Sequence, residues 1–107
     1  MLTCIIRYHI EPAKKDAFIR YARGWNEAIP RCGADLIGYF APHEGSSTLA
    51  YGIYNIASLA AYEAYRARLA EDPAGRANYE FAMRERFLLR EDRTFLKRVT
   101  TPDGSTT

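Results

Sequence analysis

Four segments with the composition of β-strands alternate with helical segments in an order that few folds share. The strand-like segments are rich in β-branched and aromatic residues and cover about residues 2–10, 35–42, 48–55 and 93–100. Apolar residues recur at helical spacing in three further segments, at about residues 14–31, 58–70 and 76–89. With the last two helices counted as one interrupted helix, this order is the βαββαβ pattern. The sequence therefore predicts an α+β, ferredoxin-like domain, in which a four-stranded antiparallel sheet carries helices on one face.

The length of the chain leaves room for one such domain. All of the predicted elements fall within residues 1–100 of the 107, and a chain of this size commonly forms one unit with its own core. Residues 101–107 are polar and contain Pro102 and Gly104. We therefore predict a single domain over 1–100 and a flexible C-terminal tail over 101–107.

Charge and cysteine content argue against several kinds of partner. The chain carries 15 basic and 13 acidic residues, and the two signs interleave, as they do at residues 90–93. A nucleic-acid surface usually shows a clustered basic excess, so no nucleic-acid partner is predicted. Cys4 and Cys32 lack the number and spacing of a disulfide framework or a metal site. No apolar run approaches the roughly 18 residues that span a membrane, and no signal-peptide pattern opens the chain, so we expect a cytoplasmic protein without a membrane partner.

Both faces of the central strands are apolar, which predicts a homodimer. Strict alternation in the second strand would place Leu36, Gly38 and Phe40 on one face, and Ile37, Tyr39 and Ala41 on the other. The third strand has the same property. Helices can cover one face only, and a two-fold dimer that packs sheet on sheet would cover the other. The alternative is a monomer whose tyrosine-rich face is open to water.

Two residues of the first strand are the candidates for catalysis. Arg7 and His9 are two residues apart and therefore share a strand face. A guanidinium matches a planar anion such as a carboxylate or an enolate, and an imidazole can move a proton near neutral pH. The alternative is that Arg7 pairs with an acidic neighbour and that His9 lies at a hydrated strand end.

The aromatic content suggests a pocket for a flat ligand. The chain holds eight tyrosines and one tryptophan, and such side chains offer both ring faces and hydrogen-bonding groups. The residues that we predict to bind a small-molecule substrate are Tyr21, Trp25, Tyr39, Tyr54 and Tyr79. The alternative is that these side chains are ordinary core residues.

Neither a metal nor a cofactor is predicted. The two histidines, His9 and His43, do not form a His-x-x-x-His pair and have no paired carboxylates beside them. His43 begins a polar link at residues 43–47, where a surface histidine is the simpler interpretation. The chain also lacks Gly-x-Gly-x-x-Gly, Walker, Gly-x-Ser-x-Gly and Cys-x-x-Cys motifs.

A series of features between Leu2 and about Val99 matches one known family. In chain order they are Arg7 followed by Pro12, Trp25, the stretch RCGADLIGYF at 31–40, Tyr54 four residues before Ser58, and Asp72-Pro73. The stretch at 31–40 is close to an R-x-G-x-x-L-I-G-x-F pattern. On these features the chain resembles the NIPSNAP family, within the dimeric α/β-barrel superfamily.

The resemblance implies a homodimer with a pocket between sheet and helices, but not one particular reaction. The wider superfamily includes cofactor-independent monooxygenases, haem-degrading enzymes and simple binding proteins. Ile5 and His9 stand where the family often has Glu and Tyr, so no role of that acidic residue carries over. Ala74 and Gly75 replace an aromatic residue that often follows the Asp-Pro pair.

Three hypotheses for function follow. The first is a NIPSNAP-like homodimer with a small-molecule pocket, whose candidate reactions are cofactor-independent oxygenation and proton transfer on a flat organic substrate. In that hypothesis Arg7 would orient an oxyanion, His9 would act as the base, and the aromatic residues would exclude water. The alternative is a non-enzymatic dimerisation or protein-interaction module without a ligand-sized cavity. A weaker alternative is haem binding or degradation, by analogy with the superfamily.

Overall fold

A four-stranded antiparallel sheet in the order β2-β3-β1-β4 forms one layer of the domain. The computed structural model describes residues 1–102, so most of the predicted tail lies outside the described residues. The strands are β1 (Leu2–Ile10), β2 (Asp35–Phe40), β3 (Leu49–Ile56) and β4 (Leu88–Leu96). The helices are α1 (Lys15–Arg31), α2 (Leu59–Glu71) and α3 (Pro73–Glu85), and a 3-10 turn at Pro12–Lys14 leads into α1. This architecture confirms the predicted ferredoxin-like α+β fold.

The core lies between the sheet and the helices. Alternation along β1 places Cys4, Ile6, Tyr8 and Ile10 on one face, and the structure buries that face on the helix side. The apolar stripe of α1 packs on that face, and its buried residues are Phe18, Tyr21, Ala22, Trp25, Ala28 and Ile29. Both cysteines are buried and unpaired by disulfides.

The third helix and the last strand begin earlier than the sequence predicts. Asp72 caps α3, because its Oδ2 accepts the backbone N–H groups of Ala74 and Gly75 at 3.0 and 3.1 Å. Pro73 fits the first helical position, where no N–H is needed. The left-handed residue Arg86 then ends the helix, and β4 pairs with β1 from Leu88 onward.

Residues 90–93, which look like a solvated charged segment in the sequence, are therefore part of an edge strand. Charged side chains are common on such strands, since they discourage pairing with other chains. In this strand the charges point alternately to the two sides of the sheet.

A bulge in β2 changes which residues share a face. Leu36 pairs with Tyr54, and Gly38 pairs with Ile53, so Ile37 is an extra residue in the ladder. As a result Leu36 and Tyr39 both pack against the core, while Phe40 is half exposed on the other face. The expectation of strict alternation, with Tyr39 opposite Leu36, is wrong at this point.

Within residues 1–102, no helix covers the opposite face of the sheet, here called the outer face. The register places Thr3, Ile5, Arg7 and His9 of β1 beside Asn55, Ile53, Tyr51 and Leu49 of β3. None of these eight residues is fully buried. The sheet thus has one covered face and one face of mixed apolar and charged side chains that is open.

Candidate functional site

A cavity of about 420 Å³ lies between the covered face of the sheet and all three helices. That volume is within the range of about 300–1,000 Å³ typical of small-molecule sites. Its lining contains all five residues that the sequence suggested as substrate-binding: Tyr21, Trp25, Tyr39, Tyr54 and Tyr79. Tyr8 and Tyr65 join them in the lining. The structure therefore brings these aromatic side chains together around one space.

Helix spacing positions the aromatic residues of α1 over the cavity. Tyr21 and Trp25 are one turn apart, and their ring centroids lie 5.6 Å from each other in an edge-to-face arrangement. Tyr79 of α3 extends this contact, with its centroid 5.2 Å from that of Trp25. Edge-to-face packing fixes ring orientations, so this wall of the cavity is preorganised.

Two tyrosines of the sheet are joined at the floor of the cavity. The hydroxyls of Tyr8 and Tyr39 are 3.1 Å apart. Burial raises the pKa of both groups well above the usual tyrosine range. Burial likewise raises the pKa of Tyr21 to about 12. These hydroxyls therefore stay protonated near neutral pH. One of Tyr8 and Tyr39 donates to the other, so the second of the pair and Tyr21 are left to donate to a ligand oxygen.

Charged groups occur at one side of the cavity. Arg66 of α2 and both Glu91 and Arg93 of β4 belong to its lining. Arg93 donates through Nη2 to Glu91 Oε1 at 2.9 Å. Arg66 instead donates through Nη1 to the Tyr62 hydroxyl at 2.8 Å, and it forms no ion pair within residues 1–102. The lining thus carries two guanidinium groups against one carboxylate.

The indole N–H of Trp25 is a buried donor without an acceptor. Trp25 is only 4% exposed, and its Nε1 has no hydrogen-bond partner among the described residues. Burial raises the pKa of Tyr21, and the nearby indole of Trp25 lowers it by a smaller amount. The indole N–H and the Tyr21 hydroxyl nevertheless do not reach hydrogen-bond geometry. A buried donor left unsatisfied costs free energy, and a ligand acceptor in the cavity would remove that cost.

Arg7 and His9 lie on the other side of the sheet from this cavity. Arg7 is half exposed on the outer face, and its Nη2 is 3.5 Å from Asp92 Oδ2. It lines a shallower groove of about 260 Å³ together with Ile5, Tyr51, Asp92, Thr94 and Leu96. His9 is partly buried on the same face, between Leu49 and Arg90. The structure therefore does not bring the two candidate catalytic residues together with the five aromatic residues, and the roles of all seven stay predictions.

Several lining residues were missed by reasoning from sequence. Tyr8 shares a strand face with Ile6, and nothing in the neighbouring sequence indicates that it lines a pocket. Glu91 lies before the strand that the sequence predicts from about residue 93. Arg93 lies at the start of that strand, where the sequence does not indicate which face it occupies. Arg66 falls in the same helical stripe as Leu59, Tyr62, Tyr65 and Leu69. Only Tyr65 and Leu69 of this set are buried, whereas Leu59 and Arg66 are exposed, so the spacing alone does not identify Arg66 as a lining residue.

Residues 1–102 contain neither a cluster of metal-binding side chains nor a helix suited to cross a membrane. In that part of the chain no three His, Cys, Asp or Glu side chains cluster as a metal site would require. No helix there combines the length and apolar character needed to cross a membrane.

Comparisons with known proteins place the chain among proteins of one family. The NIPSNAP family model matches residues 3–102. A NIPSNAP family protein from Agrobacterium tumefaciens strain C58 is 25% identical, with a TM-score of 0.74 and coverage of 94% of each chain. A structure of another A. tumefaciens protein has a TM-score of 0.81 at 20% identity, and covers 94% of this chain and 96% of that one. No curated protein sequence matches at the significance applied.

The same fold occurs in a protein with a different name. A protein from Nitrosomonas europaea, whose name assigns it provisionally to the antibiotic biosynthesis monooxygenases, has a TM-score of 0.71. It is 11% identical, and the match covers 92% of this chain and 99% of that one. At this identity the likeness is one of fold.

Proposed function

The chain belongs to the NIPSNAP family, and we propose that it acts as a homodimer in which each subunit binds a flat organic molecule between its sheet and its helices. The observation that carries this proposal is the convergence of the predicted aromatic residues on one cavity of about 420 Å³. The cavity is open to solvent on one side, where Tyr79 and Met83 are exposed, so a ligand could enter it.

The polar groups of the cavity support a ligand rather than an apolar void. Protonated hydroxyls at Tyr8, Tyr21 and Tyr39 and the unpartnered indole of Trp25 all belong to its lining. A few fixed polar groups among aromatic walls are the usual means by which a pocket orients a small molecule. Ring faces supply contact area, and the donors would select a ligand with oxygen acceptors.

The outer face supports the homodimer. Ile37, Phe40 and Leu96 are about half exposed there or at its edge, and Ile5, Tyr51 and Ile53 are partly exposed between them. A two-fold related copy would cover these side chains. We therefore propose that a second copy of this chain occupies the outer face.

Titration with a neutral fluorescent naphthalene derivative, phenylnaphthylamine, tests the pocket. We expect saturable binding to the full chain and a loss of at least about tenfold in affinity for Ala82→Phe, because the new ring fills the cavity. Ala67→Phe is the matched control, since Ala67 is exposed on α2 outside the cavity lining. Equal binding by all three proteins, or none by the wild type, would contradict the proposal and favour the non-enzymatic interaction module.

Proton transfer is the reaction that the groups in the cavity support. Glu91 can accept a proton from an enolisable or phenolic substrate, and the tyrosine hydroxyls can stabilise the resulting oxyanion. In cofactor-independent oxygenation, O₂ would be the oxidant of that anion. This is the second reaction to test, because the chain shares its fold with the N. europaea protein. The assays are deuterium exchange into candidate substrates and oxygen uptake. Glu91→Gln should abolish either activity, and full activity in that variant would exclude this mechanism.

A further inference from the structure

We propose that the pocket is built for an aromatic carboxylate that carries a hydrogen-bond acceptor on its far ring. This inference rests on the proposed function, since it names the class of molecule that the same cavity takes. Three lining residues carry it: Arg66 and Arg93 would hold the carboxylate, and Trp25 would donate to the distal acceptor.

The first argument is the unequal charge of the lining. Its ionisable pair Glu91–Arg93 is internally balanced at 2.9 Å, whereas the Arg66 guanidinium has a hydroxyl partner in place of a carboxylate. Arg66 is exposed beside the cavity, and an anionic ligand would be its first ion-pair partner among residues 1–102. Guanidinium groups suit this task because their planar N–H groups match the two oxygens of a carboxylate.

The second argument is that the two arginines act at the same place. They come from different elements, α2 and β4, yet both line one cavity. Burial raises the pKa of Tyr65, and the charges of Arg93 and Arg66 both oppose that rise, so both cations lie near this ring. Glu91 already balances one of the two cations, so this end of the cavity keeps one net positive charge. A ligand carboxylate would be attracted by that charge.

The third argument is the orphaned donor at Trp25. Its ring stands edge-to-face with those of Tyr21 and Tyr79, which keeps the indole from turning to find another partner. Burial of an unsatisfied N–H is uncommon in native structures. An oxygen on the ligand, carried on a flat ring between these aromatic side chains, would accept this hydrogen bond.

Three naphthalene probes separate the parts of the proposal. The first is a naphthoate with a hydroxyl on the ring far from its carboxylate. The second is the primary amide of that acid, which keeps the shape without the charge. The third is the plain naphthoate, which keeps the charge without the distal acceptor. Calorimetric titration of the full chain should show the hydroxy acid binding at least about tenfold more tightly than either relative.

Variants assign each preference to its residue. Arg66→Gln should weaken binding of the hydroxy acid by about tenfold or more and leave binding of the amide nearly unchanged. Arg76→Gln is the matched control, because Arg76 is an exposed arginine of α3 outside the cavity lining. Trp25→Phe keeps a ring but removes the N–H. It should therefore weaken binding of the hydroxy acid and leave binding of the plain naphthoate unchanged.

The outcomes also distinguish this inference from the proposed function. If phenylnaphthylamine binds and the amide matches the acid in affinity, the anion site is wrong and the pocket stands. If Arg66→Gln and Arg76→Gln behave alike, the assignment of the carboxylate to Arg66 is overturned. If neither phenylnaphthylamine nor any of the three probes binds, the proposed function and this inference both fail.

Discussion

The ring of Tyr39 lies directly against the backbone of Gly52 on the neighbouring strand. A Cβ atom added at Gly52 would stand 2.6 Å from the Tyr39 Cζ, closer than non-bonded atoms can approach. The glycine therefore lets the tyrosine lie flat across β3, where its hydroxyl reaches that of Tyr8 at 3.1 Å. This contact links a backbone feature of the sheet to the floor of the pocket.

Replacing this glycine should disturb the pocket from beneath. We expect Gly52→Ala to displace the Tyr39 ring and to lower the free energy of unfolding by about 1–3 kcal/mol. Ligand affinity should fall with it, because the Tyr8–Tyr39 contact would be broken. Chemical denaturation and probe titration measure the two effects. In a Tyr39→Ala background, Gly52→Ala should lower the free energy of unfolding by much less than it does in the wild type. If the effects of the two substitutions simply add, the account is contradicted.

Arg31 and Asp72 predict a specific loss of stability in acid. Arg31 Nε and Nη2 donate to Asp72 Oδ1 and Oδ2 at 2.7 and 2.8 Å, and this pair lowers the pKa of Asp72 from 3.8 to about 2, with help from the Gly75 and Ala74 N–H groups. A lowered folded-state pKa stabilises the protein above the unfolded pKa, and this stabilisation is lost as the pH falls from about 4 to about 2.

Asp72→Asn isolates this effect, because asparagine can still cap α3 but carries no charge. The variant should be less stable than the wild type near neutral pH, and the difference should shrink as the pH falls through that window. Thermal unfolding followed by circular dichroism as a function of pH measures it. Glu63→Gln, an exposed site on α2, is the control. A difference that stays constant down to pH 2 would show that the ion pair does not titrate as described.

The outer face makes a prediction about assembly. Ile53→Arg places a charge among the partly exposed apolar residues of that face and should convert a dimer into a monomer of 12.2 kDa. Sedimentation velocity on both proteins at micromolar concentration is the measurement. Ala67→Arg, on the exposed side of α2, should leave the assembly unchanged. A wild-type chain that sediments as a 12.2 kDa particle would rule out the homodimer.

Arg7 and His9 test whether the outer groove takes part in binding. Arg7→Ala removes a half-exposed pair with Asp92 and should change the free energy of unfolding by less than about 1 kcal/mol. Because the sheet separates both residues from the cavity, neither Arg7→Ala nor His9→Ala should alter the affinity of the pocket for phenylnaphthylamine. Loss of binding or turnover in these variants, with the assembly intact, would instead support the catalytic roles first predicted for them.

The main elements could be predicted because their patterns are local. Alternation in β1 groups Cys4, Ile6 and Tyr8 on one face, and the helical repeat of α1 groups Tyr21 and Trp25 on one stripe. Both patterns depend on which side of one element is buried, and that information is carried by neighbouring residues.

The departures arise where tertiary pairing decides. The bulge at Ile37 shifts Tyr39 to the covered face, and a bulge depends on the partner strand rather than on the residues of β2 alone. The charged residues 90–93 join the sheet because β1 offers an open edge to pair with. Arg7 and His9 were grouped with the aromatic residues because both faces of β1 are partly apolar, and alternation does not tell which face the helices cover.

Intermolecular nuclear Overhauser effects (NOEs) between the bound phenylnaphthylamine and the full chain test the central claim most directly. The account predicts contacts from the ligand protons to the rings of Tyr21, Trp25 and Tyr39, which line the cavity between sheet and helices. Contacts confined to Ile5, Tyr51 and Leu96, in the groove of the outer face, would contradict it.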